Sequence, residues 1–156
     1  MNTEVTSHLE DLGVDFEIKK HENPALTCEI AAAERGVRVS QIVKCMVAET
    51  DEDQLVVMLI PGDKTLKSSK ARKRIGAARL DLVDPKDLAD RYGLTVGAIS
   101  PIQLLDKARI LMDPSVLNEE LVDISSGDPL AGVELLASDL LEVTDAELVE
   151  MISLSR

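Results

Sequence analysis

An α/β fold of the α+β-like kind, one domain with a mixed, mostly antiparallel sheet flanked by helices, is predicted by three observations. Helical and strand patterns alternate along the chain without a linker, repeat or low-complexity segment. Hairpin-like connections are more frequent than long helical crossovers. The 156 residues suit one domain able to bury about two-thirds of its unfolded surface, so residues 1–156 are read as one unit.

Each element has a local reason. Residues 3–12 form a short amphipathic pattern closed by Gly13, and residues 14–20 alternate as a strand. Thr27 is placed to N-cap a helix that runs to Arg35, with Gly36 at its C-terminal cap. The acidic stretch Asp51-Glu52-Asp53 separates a strand at 41–48 from the apolar run 55–60, which reads as a hairpin ended by Pro61-Gly62. The basic segment beyond favours helix. Asp84-Pro85 starts another helix, which should stop near Tyr92 at Gly93. Further strands are expected at 109–112, 121–124 and 133–136, and a closing helix at 145–152.

Composition limits the function classes. Hydrophobic residues make up 45% of the chain, yet there is one Phe, one Tyr and no Trp, so the core must be aliphatic. Modules that stack bases on aromatic side chains are therefore disfavoured. The longest strongly apolar run, 55–60, is far short of the roughly 18 to 20 residues of a membrane helix. The first ten residues lack the basic and apolar regions of a signal peptide, so a cytoplasmic location is expected and no membrane partner. Cys28 and Cys45 form no CxxC motif and are expected as reduced thiols; His8 and His21 are too few for a zinc site, so neither metal nor cofactor is expected.

Lys44 is the strongest functional lead. It stands alone in the run Gln41-Ile42-Val43-Lys44-Cys45-Met46-Val47-Ala48, which otherwise reads as a buried strand. Burying an ammonium costs several kcal/mol unless a partner meets it, so such a lysine points to a ligand or an ion pair. The structural alternative is a lysine at a strand edge that discourages aggregation. Cys45, one residue on, points to the opposite face and reads as a small core residue.

The net charge of −12 opposes generic nucleic-acid binding, but its distribution is uneven. Seven of the seventeen basic residues, Lys64, Lys67, Lys70, Arg72, Lys73, Arg74 and Arg79, fall within 64–79 with no Asp or Glu. This is a local basic patch or a solvated helix face that balances the acidic remainder. Gly62-Asp63-Lys64-Thr65 is not a phosphate-binding loop, because the first glycine of that motif would fall at Val57. No Gly-x-Ser-x-Gly elbow is present. In Thr95-Val96-Gly97-Ala98-Ile99-Ser100-Pro101, a glycine four residues before a proline describes a backbone that turns sharply and can offer N–H groups to an oxyanion. Ser125-Ser126-Gly127-Asp128-Pro129 is by composition an ordinary turn.

Taken in order, His21-x5-Thr27, Gln41-Ile42-Val43-Lys44, Ile60-Pro61-Gly62-Asp63, Val96-Gly97-Ala98-Ile99-Ser100-Pro101, Ser125-Ser126-Gly127 and Val133-Glu134-Leu135 resemble the YbaK-type aminoacyl-tRNA deacylases. These are relatives of the editing domain inserted in bacterial prolyl-tRNA synthetase. The resemblance spans about residues 15–142 and implies a barrel-like sheet and hydrolysis of an amino acid wrongly esterified to tRNA. By the same matching, Lys44 lies in the pocket and Gly97, Ala98, Ile99, Ser100 and Pro101 contact the aminoacylated 3′ end. Ser126 and Gly127 would lie on the rim, and His21 and Thr27 near the mouth. Lys64, Lys67, Lys70, Arg72, Lys73 and Arg74 would hold the acceptor stem. Asp128-Pro129-Leu130 departs from the basic residue and glycine found in many members, and no histidine follows His21. Substrate preference therefore does not transfer.

The chemistry such residues can perform is modest and sufficient. An aminoacyl ester is already labile, so orientation and charge stabilisation at its carbonyl oxygen suffice, with Lys44 and the N–H groups near Gly97 as the catalytic pair. Water or a substrate group would attack. A binding module on the same fold, or an acidic protein that docks on a basic partner such as a synthetase, would also fit the charge distribution.

Overall fold

The computed structural model describes residues 2–154. It has five helices, α1 (Glu4–Asp11), α2 (Cys28–Arg35), α3 (Ser68–Ile75), α4 (Pro85–Tyr92) and α5 (Ala137–Thr144). Its eight strands are β1 (Glu17–Lys20), β2 (Val43–Thr50), β3 (Leu55–Pro61), β4 (Leu80–Leu82), β5 (Ala108–Met112), β6 (Leu121–Ser125), β7 (Ala131–Leu136) and β8 (Glu147–Leu148). Short 3-10 turns occupy Val39–Gln41, Pro101–Leu104 and Pro114–Asn118.

The strands form two sheets. One has the order β4-β2-β3-β5-β8 and is mixed: β2 pairs antiparallel with β3 and β4, whereas β3–β5 and β5–β8 are parallel. The other, β1-β7-β6, is antiparallel. A parallel bridge between Ile42 and Asp123 links them, so the strands wrap in a barrel-like way without closing.

β3 shows why its sequence is continuously apolar. All seven of its residues are buried, Leu55, Val57 and Leu59 against the core that includes α1, α4 and α5, and Val56, Met58 and Ile60 against the layer containing Ala71 of α3. Both faces of a strand covered on both sides must be hydrophobic. The helix ends follow their caps: Thr27 accepts from the Ile30 N–H, Asp84 accepts from the Lys86 N–H, and Gly36 and Gly93 close α2 and α4 in the left-handed region.

Two expectations need correction, and one strand is additional to them. The closing helix expected at 145–152 is absent; α5 lies one turn pair earlier, and Asp145 ends it at φ 48° rather than starting one. Ala137, Leu140 and Thr144 supply its buried stripe at helical spacing, whereas Val149 and Met151 are buried alternately with Leu148 and Glu150, the period of a strand. The strand expected at 14–20 pairs only over Glu17–Lys20, and β4 carried too little apolar pattern to be anticipated.

The chain after β8 is fastened by Asp113, only 3% exposed. Its Oδ2 accepts from the N–H groups of Met151 (2.7 Å) and Ile152 (3.2 Å), and its Oδ1 from the Ser115 N–H (2.9 Å) and hydroxyl (2.5 Å). Burial pushes this carboxyl up, but the four hydrogen bonds outweigh it and hold it below the usual range. Asp113→Ala strands the buried Met151 N–H, and equilibrium urea unfolding should register a loss of about 2–4 kcal/mol. Because the folded-state value is depressed, the stability that Asp113 confers should vanish as pH falls below the ordinary aspartate range.

Candidate active site

β2 reaches the site through a tight turn. Gly62, just after β3, donates its N–H to the Ile42 carbonyl at 2.7 Å. A Cβ there would sit 2.7 Å from the Val39 carbonyl oxygen and 3.1 Å from the Cys28 Cβ, so only glycine lets this loop close over α2. The closure leaves a cleft of about 390 Å³ between α2, β2, β6 and the loop at 96–99. That is within the range of small-molecule sites.

Lys44 lines this cleft. Its Nζ donates to the Lys64 carbonyl oxygen at 2.7 Å, and it makes no ion pair among the described residues. The charge therefore keeps donor capacity for a ligand. Opposite it, Gly97 has φ 89°, and a Cβ would press to 3.2 Å from the Ala25 carbonyl oxygen. The loop's N–H groups are not all equal. Ala98 donates to the Thr95 carbonyl and Ser100 to the Gln103 side chain, while those of Gly97 and Ile99 have no acceptor among the described residues.

The residues named from sequence divide by placement. Lys44, Thr27, Gly97 and Ile99 line the cleft. Ala98 and Pro101 are buried behind the loop, and Ser100 caps the following 3-10 turn. His21 lies off the lining, its Nδ1 hydrogen-bonded to the Asn23 carbonyl group at 2.7 Å. Ser126 is fully buried and donates to the Ala131 carbonyl at 2.7 Å, while Gly127 takes φ 91° in the same turn; it is Ser125 that faces the cleft. The alternation of β6 explains the one-residue offset.

Cys28 and Cys45 both line the cleft. Burial pushes the Cys28 thiol up against the opposing Lys44 charge, and burial raises Cys45 to about 12. Neither is a thiolate at neutral pH, so neither is a ready nucleophile.

Two further lining residues escaped the sequence reading: Asp123 and Arg35. Asp123 is fully buried, opposite Glu134 of β7 in the sheet register, and neither carboxylate oxygen has a donor among the described residues. Burial first and Glu134 second push its carboxyl up to about 7, with Arg35 and Lys19 opposing. A shared proton would supply the hydrogen bond that two carboxylates cannot make. Arg35, 8% exposed, donates through Nη1 to the Ile124 carbonyl at 3.4 Å, and its Nε has no acceptor among the described residues. Its guanidinium lies on Gly132, where a Cβ would sit 2.2 Å away. The signal for Asp123 was in the sequence: a single carboxylate inside Leu-Val-Asp-Ile repeats the logic applied to Lys44. Arg35 offered none, since a basic residue in a helix's last turn is ordinary.

The basic segment begins at the same cleft, for the Lys64 carbonyl holds Lys44. Lys64, Lys67, Lys73 and Arg74 are exposed. Lys70 donates to the Ile152 carbonyl and Arg72 to the Ala77 carbonyl, so these two are partly engaged in the fold.

Residues 22–143 match the aminoacyl-tRNA editing domain family. The chain is 27% identical over 141 residues to the Multifunctional Ser/Thr-tRNA deacylase ProXp-y of Escherichia coli (strain K12), covering 88% of this chain and 84% of that protein. A proline–tRNA ligase of Brachyspira hyodysenteriae is 31% identical over 74 residues, 47% of this chain and 13% of the ligase. The crystal structure of hypothetical protein APE2540 superposes with a TM-score of 0.89 at 24% identity, over 97% of this chain and all of that one, and shows the same fold.

A raised carboxyl leaves a thermodynamic trace. The folded state holds the Asp123 proton more tightly than the unfolded chain, so this group's stabilising contribution is complete below about pH 4 and is lost as pH rises to about 7. Asp123→Asn should remove that component. Denaturant unfolding from pH 4 to 8 should show wild type losing stability relative to the variant up to about pH 7, then a constant difference.

Proposed function

The chain belongs to the aminoacyl-tRNA editing domain family, and from that premise we propose that it hydrolyses the ester of mischarged aminoacyl-tRNA, acting in trans. One observation carries the reading: Lys44, an ammonium with spare donor capacity, lines the same cleft as Gly97 and Ile99, the residues of the 95–101 loop whose backbone N–H groups are unclaimed among the described residues. The ProXp-y deacylase, matched over most of both chains, supports it.

The reaction needs little from the protein. The N–H groups of Gly97 and Ile99 polarise the ester carbonyl and hold the oxyanion that forms when water attacks its carbon. The tetrahedral intermediate collapses, the bond to the ribose oxygen breaks, and that oxygen takes a proton while the amino acid leaves as a carboxylic acid. Lys44 anchors an oxygen of the 3′-terminal adenosine and fixes the ester against the loop. With both thiols held protonated, a cysteine nucleophile has no part.

The tRNA approaches along α3. Lys64, Lys67, Lys73 and Arg74 are exposed for phosphate, and Lys64 adjoins the cleft through its carbonyl bond to Lys44. Few phosphates are contacted, and binding by this acidic chain is weak, with a shallow salt dependence.

Two measurements test the proposal. Purified protein incubated with alanine-, serine-, cysteine- and proline-charged tRNAs should release at least one amino acid above the spontaneous rate. Lys44→Ala should cut that release by about 10²-fold, the scale of a misplaced reacting group. No release from any substrate would refute hydrolysis on this panel. Separately, Lys73→Glu with Arg74→Glu should weaken tRNA binding and reduce the log–log salt slope by about 2, one for each lost phosphate contact.

A further inference from the structure

Two loop segments contribute to the cleft: the 95–101 loop through Val96, Gly97 and Ile99, and the 125–129 turn through Ser125. The same two residues tie both segments. The Ala25 N–H donates to the Pro129 carbonyl at 3.2 Å, and the Ala25 carbonyl oxygen would lie 3.2 Å from a Cβ on Gly97. Gln103 makes the second tie. Its Oε1 accepts from the Ser100 N–H at 2.9 Å, and its Nε2 would lie 3.4 Å from a Cβ on Gly127. Gly127 in turn donates its N–H to the Ser125 Oγ at 3.2 Å. Gln103 does not itself line the cleft, so it meets the site only through these two segments.

The bond to Ser100 is costly to lose. Ser100 is 0% exposed, so its N–H is shut off from water and depends on the Gln103 Oε1. A buried N–H without an acceptor costs its full desolvation penalty, so a loop deprived of this one must shift to find another. Gln103 also donates its own N–H to the Ser100 carbonyl at 3.1 Å, which closes a reciprocal cap on the following 3-10 turn. The Ala98 N–H is held by the Thr95 carbonyl, Pro101 has none, and those of Gly97 and Ile99 are left for a ligand. Two acceptors therefore decide which of the loop's donors stay free, and of the two only Gln103 acts through a side chain.

We propose that Gln103 is a positioning residue for the hydrolysis: its side-chain amide locks the 95–101 loop against the 125–129 turn and so fixes where the Gly97 and Ile99 N–H groups stand relative to Lys44. It touches neither the ester nor the adenosine and acts through Ser100 and Gly127. Donors aimed at a developing oxyanion are effective because they are in place before the charge appears. A displacement of about 1 Å that originates away from the chemistry can cost about 10²-fold in rate. The inference rests on the deacylase reading for the reaction that Gln103 serves but not for the lock, which is a property of the free protein.

Turnover and amide hydrogen exchange test it together. Gln103→Met keeps the length of the side chain and removes both of its hydrogen-bonding groups, whereas Gln103→Glu keeps an acceptor oxygen for Ser100. On whichever of the alanine-, serine-, cysteine- and proline-charged tRNAs wild type discharges fastest, Gln103→Met should lower kcat about 10- to 100-fold with KM changed less than about threefold. Gln103→Glu should recover kcat to within about fivefold of wild type. In the free protein, the Ser100 N–H of Gln103→Met should exchange about 10- to 100-fold faster, a larger change than at any β3 amide, while Gln103→Glu keeps it protected. Should the methionine variant fail to fold, Gln103→Asn, one methylene too short to reach Ser100, takes its place with the same expectations. A wild-type kcat per folded molecule, a loss confined to KM, or unaltered exchange at Ser100 would overturn the proposal, since a cap that served stability alone would leave turnover intact. Fast local exchange at Ser100 in a protein whose wild type discharges no charged tRNA would support the lock and refute hydrolysis, which keeps the two failures apart.

Discussion

The Arg35 guanidinium lies on Gly132, within electrostatic reach of Asp123, whose bridge to Ile42 links the two sheets. The contact needs a helix ending at Arg35, a strand residue with no side chain at 132, and a carboxylate at 123 to offset the buried charge. Burial pulls the Arg35 guanidinium below its ordinary value, and Asp123 opposes that shift. Ile42 bridges to Asp123, so the strand that carries Lys44 and the strand that carries Ser125 meet at this cluster. Removing one member of such a buried group leaves an uncompensated charge, which costs far more than an exposed ion pair is worth.

The exposed pairs contrast with it. Arg91 binds Glu49 through two nitrogens, at 2.8 and 2.5 Å, and Arg109 binds Glu147 at 2.8 and 3.0 Å. Both join elements distant in sequence, but both are open to solvent and screened. They reinforce a sheet whose core is already complete, since β3 is covered on both faces. The buried cluster instead lines the candidate cleft, and polar groups left short of partners tend to persist at functional sites.

The cleft is built from close approaches. Gly62 lets the loop after β3 meet α2, and Gly97 lets its loop meet Ala25. Two backbones near one another with no side chains between them leave N–H groups exposed to a ligand, and a preorganised donor of this kind needs no reorganisation when charge develops. Among the described residues no aromatic side chain lines the cleft, so a ligand there would meet polar groups and aliphatic shape rather than a stacking surface.

Local physics made much of this protein legible in its sequence. Caps at Thr27, Asp84, Gly36 and Gly93, the acidic hairpin and the apolar run of β3 are short-range features, and the structure has them where they were expected. Lys44 could be singled out because a lone charge in an apolar run is costly unless it meets a partner or the strand edge. The ordered motifs carried the family resemblance, and with it the family. Tertiary structure decided the rest. The chain beyond β8 is held extended where Asp113, distant in sequence, accepts hydrogen bonds from Met151 and Ile152. Which N–H groups near Gly97 remain free depends on partners at Thr95 and Gln103. Arg35 looked like an ordinary helix end until β7 brought Gly132 beneath it. Sequence fixes the cost of each group and the shape of each element, but burial and partnership are set only when segments far apart in the chain meet.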